Sequence, residues 1–101
     1  MKSSYYVTLN LKTLDGFETF GRFEVGNEIK EAKEIFNLLK GDDDLPEIQG
    51  LSMDLIEEFK GVPLTLKMLN CTLDELADNS KIICKEIFKR SNFQRGAADE
   101  K

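Results

Sequence analysis

The chain reads as an α+β protein of order ββαββα: a four-stranded antiparallel sheet with two helices on one face. Three features predict this fold. Residues 5–12 and 17–25 alternate apolar with polar, residues 51–59 and 62–71 do so again, and each alternating pair runs into a segment with helical apolar periodicity.

In the first half, Tyr5, Val7, Leu9 and Leu11 fall on one side of a strand and Tyr6, Thr8, Asn10 and Lys12 on the other. The connection Leu14-Asp15-Gly16 suits a three-residue hairpin loop, because a type I turn followed by a left-handed residue favours glycine in the third place. That loop sets Thr13 against Phe17, Leu11 against Thr19, Leu9 against Gly21, Val7 against Phe23 and Tyr5 against Val25. A two-residue Asp15-Gly16 turn would instead flip one strand, placing Val7 opposite Glu24. Asn27 is the expected cap of a helix running to about Lys40 and stopped by Gly41, with Ile29, Ala32, Ile35, Phe36 and Leu39 on its apolar stripe.

Residues 41–50 form a connector in which three consecutive aspartates, Pro46 and flanking glycines oppose regular structure. In the second half, a two-residue Lys60-Gly61 turn sets Leu51, Met53, Leu55 and Phe59 beside Asn70, Met68, Leu66 and Val62, with Asp54 opposite Lys67 on the other side. Lysine is a poor residue for positive φ, so a four-residue loop from Glu58 to Gly61 is the alternative. Pro63 donates no ladder bond and belongs near a strand start or on an edge. Thr72 with Glu75 spells a capping box, opening a helix to about Arg90 whose inward stripe is Leu73, Leu76, Ala77, Ser80, Ile83, Cys84 and Ile87. Residues 1–91 are thus expected to form a single domain and residues 92–101 a flexible tail. Lys33-Glu34-Ile35-Phe36 recurs as Lys85-Glu86-Ile87-Phe88, which with the repeated architecture suggests approximate internal two-fold symmetry.

Composition narrows the class of protein. With 101 residues, 41% of them hydrophobic and 33% charged, the chain can bury a core without metals or disulfides. No apolar run approaches the roughly 20 residues that span a bilayer, and no export signal follows Met1, so a cytoplasmic setting and no membrane partner are expected. A net charge of −5 with dispersed basic residues argues against nucleic acid. Two cysteines outside any C-x-x-C arrangement read as reduced thiols.

If the hairpins join edge to edge, the side away from the helices displays mostly polar residues together with Tyr6, Phe20, Ile56 and Leu69. Four large side chains in water form a candidate docking surface. Arg22 lies among them, and Ile82 and Phe88, which point away from the inward stripe of the second helix, are the other candidates. A C2 homodimer is the expected form, since one self-complementary patch suffices, and an unidentified protein partner is the other possibility.

Chemistry finds less support. Tyr6 and Phe20 beside Lys12, Arg22 and Lys67 have the composition of a base-stacking sheet, but Glu18, Glu24, Asp54 and Glu58 share that side and no RNP-like motif is present. Asp42, Asp43, Asp44 and Glu47 lack EF-hand spacing and read as a solvated acidic loop, so no metal and no cofactor are expected. The absence of histidine removes the commonest general acid-base and the usual partner of a catalytic serine or cysteine. Glu57 is an oddity, a carboxylate on the inward parity, read as lying at an uncovered sheet end.

Leu51 to Phe88, especially Gly61-Val62-Pro63-Leu64, Met68-Leu69-Asn70-Cys71-Thr72-Leu73 and Lys85-Glu86-Ile87-Phe88, resembles small uncharacterised proteins of Bacteroidetes-type bacteria. The resemblance implies a bacterial cytosolic protein and carries no site residues. Together these readings lead to a non-catalytic interaction module. The alternative is a small-molecule-binding protein or weak enzyme with a pocket near Cys71 and Cys84.

Overall fold

Strands β1 (Ser4–Thr13) and β3 (Leu51–Phe59) pair antiparallel through the middle of one sheet, from Ser4 opposite Glu58 to Leu11 opposite Leu51 without interruption. Strands β2 (Gly16–Glu24) and β4 (Val62–Asn70) flank them, giving the order β2-β1-β3-β4. Helices α1 (Ile29–Phe36) and α2 (Leu73–Asp99) complete the ββαββα order. The computed structural model describes residues 3–42 and 50–99, with side chains to Arg90. The remainder of the expected acidic connector, 43–49, lies outside the described residues.

The expected inward parity holds in the central strands. Tyr5, Val7, Met53 and Leu55 form one buried cluster with Ala32, Ile35 and Phe36 of α1 and Ile83 of α2. Because side chains alternate along a strand, a cluster that takes one parity from the sheet and residues from both helices places both helices on one face. The edge strands contribute only Phe23, Leu66 and Leu69, each partly buried.

Both hairpins differ from the expected registers, for one physical reason. In the first, Thr13 faces Gly16 across the two-residue turn Leu14-Asp15, and the extra residue is taken up by a bulge at Phe20. Val7 still faces Phe23 and Leu9 faces Gly21, whereas Leu11 faces Glu18 in place of Thr19. Thr13 holds the turn, its hydroxyl donating to the Gly16 carbonyl at 2.8 Å and accepting from the Asp15 amide at 3.2 Å. In the second hairpin the Lys60-Gly61 turn forms as expected, with Phe59 opposite Val62 and Lys60 at φ 55°. A bulge at Leu66 then reverses the parity of the rest of β4. Met53 faces Leu69, Asp54 faces Met68, and Lys67 turns toward the helices, where it donates to Asn37 at 3.1 Å. An extra residue in one strand of a pair re-aims every side chain beyond it, and alternation in the sequence does not reveal where it sits.

Helix α1 is shorter than its periodicity predicts. It ends at Phe36, residues 38 and 39 continue through i to i−3 bonds, and Asn27 does not cap it; the N-cap is Glu28, without a side-chain bond. Burying Ile35 and Phe36 contributes about 4 kcal/mol, more than the roughly 1 kcal/mol that a cap supplies, so packing holds this helix. Helix α2 does form its capping box: the Thr72 amide donates to Glu75 at 2.9 Å and the Glu75 amide to the Thr72 hydroxyl at 3.1 Å. It runs to Asp99, beyond the expected end at Arg90 and through most of the expected tail; residues 94–98 contain Gln, Arg and two Ala and no proline, and the single Gly96 costs only about 1 kcal/mol.

Helix α2 is also rotated from its expected phase. Asn79 and Ile83 are fully buried, whereas Ala77 and Cys84 face solvent. The reason lies at Lys40. Its backbone N–H donates to the Asn79 side-chain oxygen at 2.7 Å, and its carbonyl accepts from the Asn79 amide at 2.8 Å. One amide side chain thereby satisfies a backbone donor and acceptor in the segment after α1, and it must be buried to do so.

Candidate functional site

The side opposite the helices is organised in three rows that run across the strands. Arg22, Thr8, Asp54 and Met68 are successive partners from β2 to β4; Glu24, Tyr6, Ile56 and Thr65 form a second row; Thr19, Asn10, Ser52 and Asn70 form the third. Even-numbered positions of the two central strands therefore make up the middle of this surface.

A hydrogen-bonded polar cluster fills that middle. Asn10 donates through Nδ2 to the hydroxyls of Thr8 and Ser52, each at 3.3 Å, and accepts from the Thr19 hydroxyl at 2.7 Å. Thr8, Asn10 and Ser52 are all buried. Short side chains on central strands are flanked by longer ones on both sides, and here the Arg22 guanidinium lies 3.9 Å from the centre of the Tyr6 ring. Arg22 also forms an ion pair with Glu24 at 2.6 Å.

Asp54 completes the cluster but is not satisfied by it. Its Oδ1 is buried and accepts no hydrogen bond from the described residues. Burial raises the carboxyl pKa above its ordinary range, and the Asn10 amide opposes that rise. The Tyr6 hydroxyl is raised as well, first by burial and then by Glu58. An acceptor out of water without a donor costs about 1–3 kcal/mol, so this carboxylate is a defect of the isolated fold.

The seven residues singled out from the sequence do not form one patch. Tyr6 and Ile56 face each other as expected, but they are 7% and 8% exposed, so neither leaves a large side chain in water. Arg22 stands over Tyr6. Phe20 is 63% exposed, at the β2 bulge. Leu69 is placed opposite to expectation: beyond the Leu66 bulge it packs against the core on the helix side. Ile82 is half-buried in a small cleft with Leu38, Lys85 and Glu86, and Phe88 is exposed on α2. Thr8, Asn10, Ser52 and Asp54 carried no distinguishing signal in the sequence beyond their shared parity, since which strands are central was not readable there.

The two cysteines do not share an environment. Cys71 is fully buried, and its thiol is pushed up to about 11 by burial, with Glu75 adding to the rise and Asn79 opposing it. Cys84 is exposed on the other side of α2. A raised pKa is the reverse of thiolate activation. Glu57 also acquires an explanation, accepting from the Ser3 hydroxyl at 2.7 Å and the Tyr5 hydroxyl at 3.1 Å. Among the described residues no cluster of cysteine, aspartate and glutamate side chains is arranged to hold a metal, and no helix is long and apolar enough to cross a membrane. Compared with protein-family models, curated proteins and solved structures, the chain matches none of them.

Proposed function

We propose that this is a small non-catalytic module of the bacterial cytoplasm that binds a protein, in the simplest case a second copy of itself, through the side of the sheet opposite its helices. The observation that carries this reading is the orphaned Oδ1 of Asp54 in the middle of that side. A fold that retains an unpaired buried acceptor away from its main core keeps it at a cost to stability, and such violations of local rules concentrate where a surface has other work. A partner presenting a donor would supply the missing bond. Arg22, half exposed and resting on the buried Tyr6 ring, offers a guanidinium, one of the groups that dominate binding energy at protein interfaces. The bacterial setting rests on the resemblance of Leu51 to Phe88.

Thermal unfolding of Asp54→Asn in dilute protein tests the reading. The folded carboxyl has a raised pKa, so its contribution to stability is complete at acid pH and is lost as pH rises through the folded value. The variant is therefore expected to melt about 5 °C above the parent at neutral pH, equivalent to about 1 kcal/mol, with the gap closing on acidification. A variant that melts lower at neutral pH would show that Asp54 is satisfied within its own chain, and the reading would be withdrawn.

A further inference from the structure

We propose that the occupant of this surface is a second copy of the chain, packed face to face about a two-fold axis along β1, with Arg22 of each copy bonded to Asp54 of the other. The inference rests on the binding role proposed above and adds the partner and the geometry. Arg22, Thr8 and Asp54 are successive partners across β2, β1 and β3. Neighbouring strands lie about 4.8 Å apart, so the backbone positions of residues 22 and 54 stand at equal distances on either side of Thr8, although in the single chain the guanidinium itself leans over Tyr6. A two-fold axis lying in the interface and running along β1 at Thr8 exchanges those two positions. It therefore sets Arg22 over the other copy's Asp54 twice, the self-complementarity that an isologous contact requires.

Each group is under-used in the single chain. Asp54 has an oxygen without a donor among the described residues. Among the described residues Arg22 forms an ion pair with Glu24, two residues along the same strand with both side chains at least half exposed, and stacks on Tyr6; the exposed ion pair contributes little and is readily exchanged. Arginine offers five donors in a fork that suits a carboxylate, and the terminal torsion of aspartate is broad enough to swing the orphan oxygen toward a guanidinium arriving from outside. Met68, next to Asp54 in the same row and 59% exposed, supplies apolar contact on the flank. The net charge of −5 on each copy opposes approach, so this local complementarity has to carry the association.

Sedimentation equilibrium over a dilution series, with folding of each variant confirmed by circular dichroism, tests the arrangement. The parent is expected to form a dimer. Arg22→Asp, at an exposed edge position, should weaken it about tenfold or more. Asp54→Asn should weaken the dimer while raising the melting temperature of the dilute protomer, opposite effects that a merely structural role would not produce. Asp54→Arg mixed with Arg22→Asp should restore a one-to-one complex, because one copy then presents two acids and the other two bases. If Asp54→Arg fails to fold, the first two variants still decide. A parent that stays monomeric at millimolar concentration, variants that dimerise as the parent does, or folded variants that mix without restoring the complex would overturn the arrangement. A monomeric parent whose Asp54→Asn variant still gains stability would leave the binding role standing with a different partner.

Discussion

The two hairpins are built alike, and the helices that follow them are not. Thr13 opposite Gly16 corresponds to Phe59 opposite Val62, and the irregularity at Leu9/Asn10 corresponds to the one at Leu55/Ile56, all at the same spacing along the chain. The bulge residues Phe20 and Leu66, and the core residues Val7 and Met53, are related by that same spacing. The local symmetry axis passes through the Thr8–Asp54 pair, where each residue faces its own counterpart. Helix α1 spans 8 residues and lacks a side-chain cap, whereas α2 spans 27 and opens on a capping box. The repeated Lys-Glu-Ile-Phe segments fall at a different spacing, and their aromatic residues differ in fate: Phe36 is 4% exposed and Phe88 is 68% exposed. The symmetry therefore belongs to the sheet, and the shared tetrapeptide is not its cause.

The largest expected effect is at the tie between the halves. Asn79→Leu leaves the N–H of Lys40 without its acceptor and the C=O of Lys40 to the weak Cys71 thiol donor at 3.6 Å, and should cost about 3 kcal/mol in urea unfolding. A cost below about 1 kcal/mol would mean that the two halves hold together without it. Next come the bulges. Deleting Phe20 should restore a regular ladder for less than about 1 kcal/mol, since its side chain is mostly in water, whereas deleting Leu66 removes a residue packed against the core and should cost about 2 kcal/mol. Equal costs would show that the bulges are equivalent in energy as well as in position. The smallest effect concerns the turns. Lys60 holds φ 55°, while the first hairpin places its positive φ on Gly16. Lys60→Asn should gain about 0.5 kcal/mol, read as a higher urea midpoint at unchanged slope, and the same change at Leu14 should gain nothing.

Much of the fold was legible from residues alone. Alternation in 5–12 and 51–59 identified the inward side of both central strands, because period two ties each side chain to a face whatever its neighbours are. Thr72 and Glu75 announced the start of α2 because a capping box acts over four adjacent residues. Leu69 was misplaced because the bulge that re-aims it lies three residues earlier and leaves no mark on composition. Asn79 was passed over in favour of Ser80 because its partner is a backbone group distant in the chain, which no helical wheel contains. Of the candidate surface, Tyr6, Arg22 and Ile56 lie on the side that alternation assigns them, but the burial of Tyr6 and Ile56 does not follow from alternation.

Local order along the chain thus decided the element types, the pairing next to the Lys60-Gly61 turn and the parity of the central strands, since these depend on interactions between near neighbours. Tertiary structure decided which strands became central, where the extra residues bulged, how α2 turned about its axis and that Oδ1 of Asp54 was buried without a donor among the described residues. Those outcomes depend on groups brought together from distant parts of the chain, where the burial of one residue is set by the side chains of another.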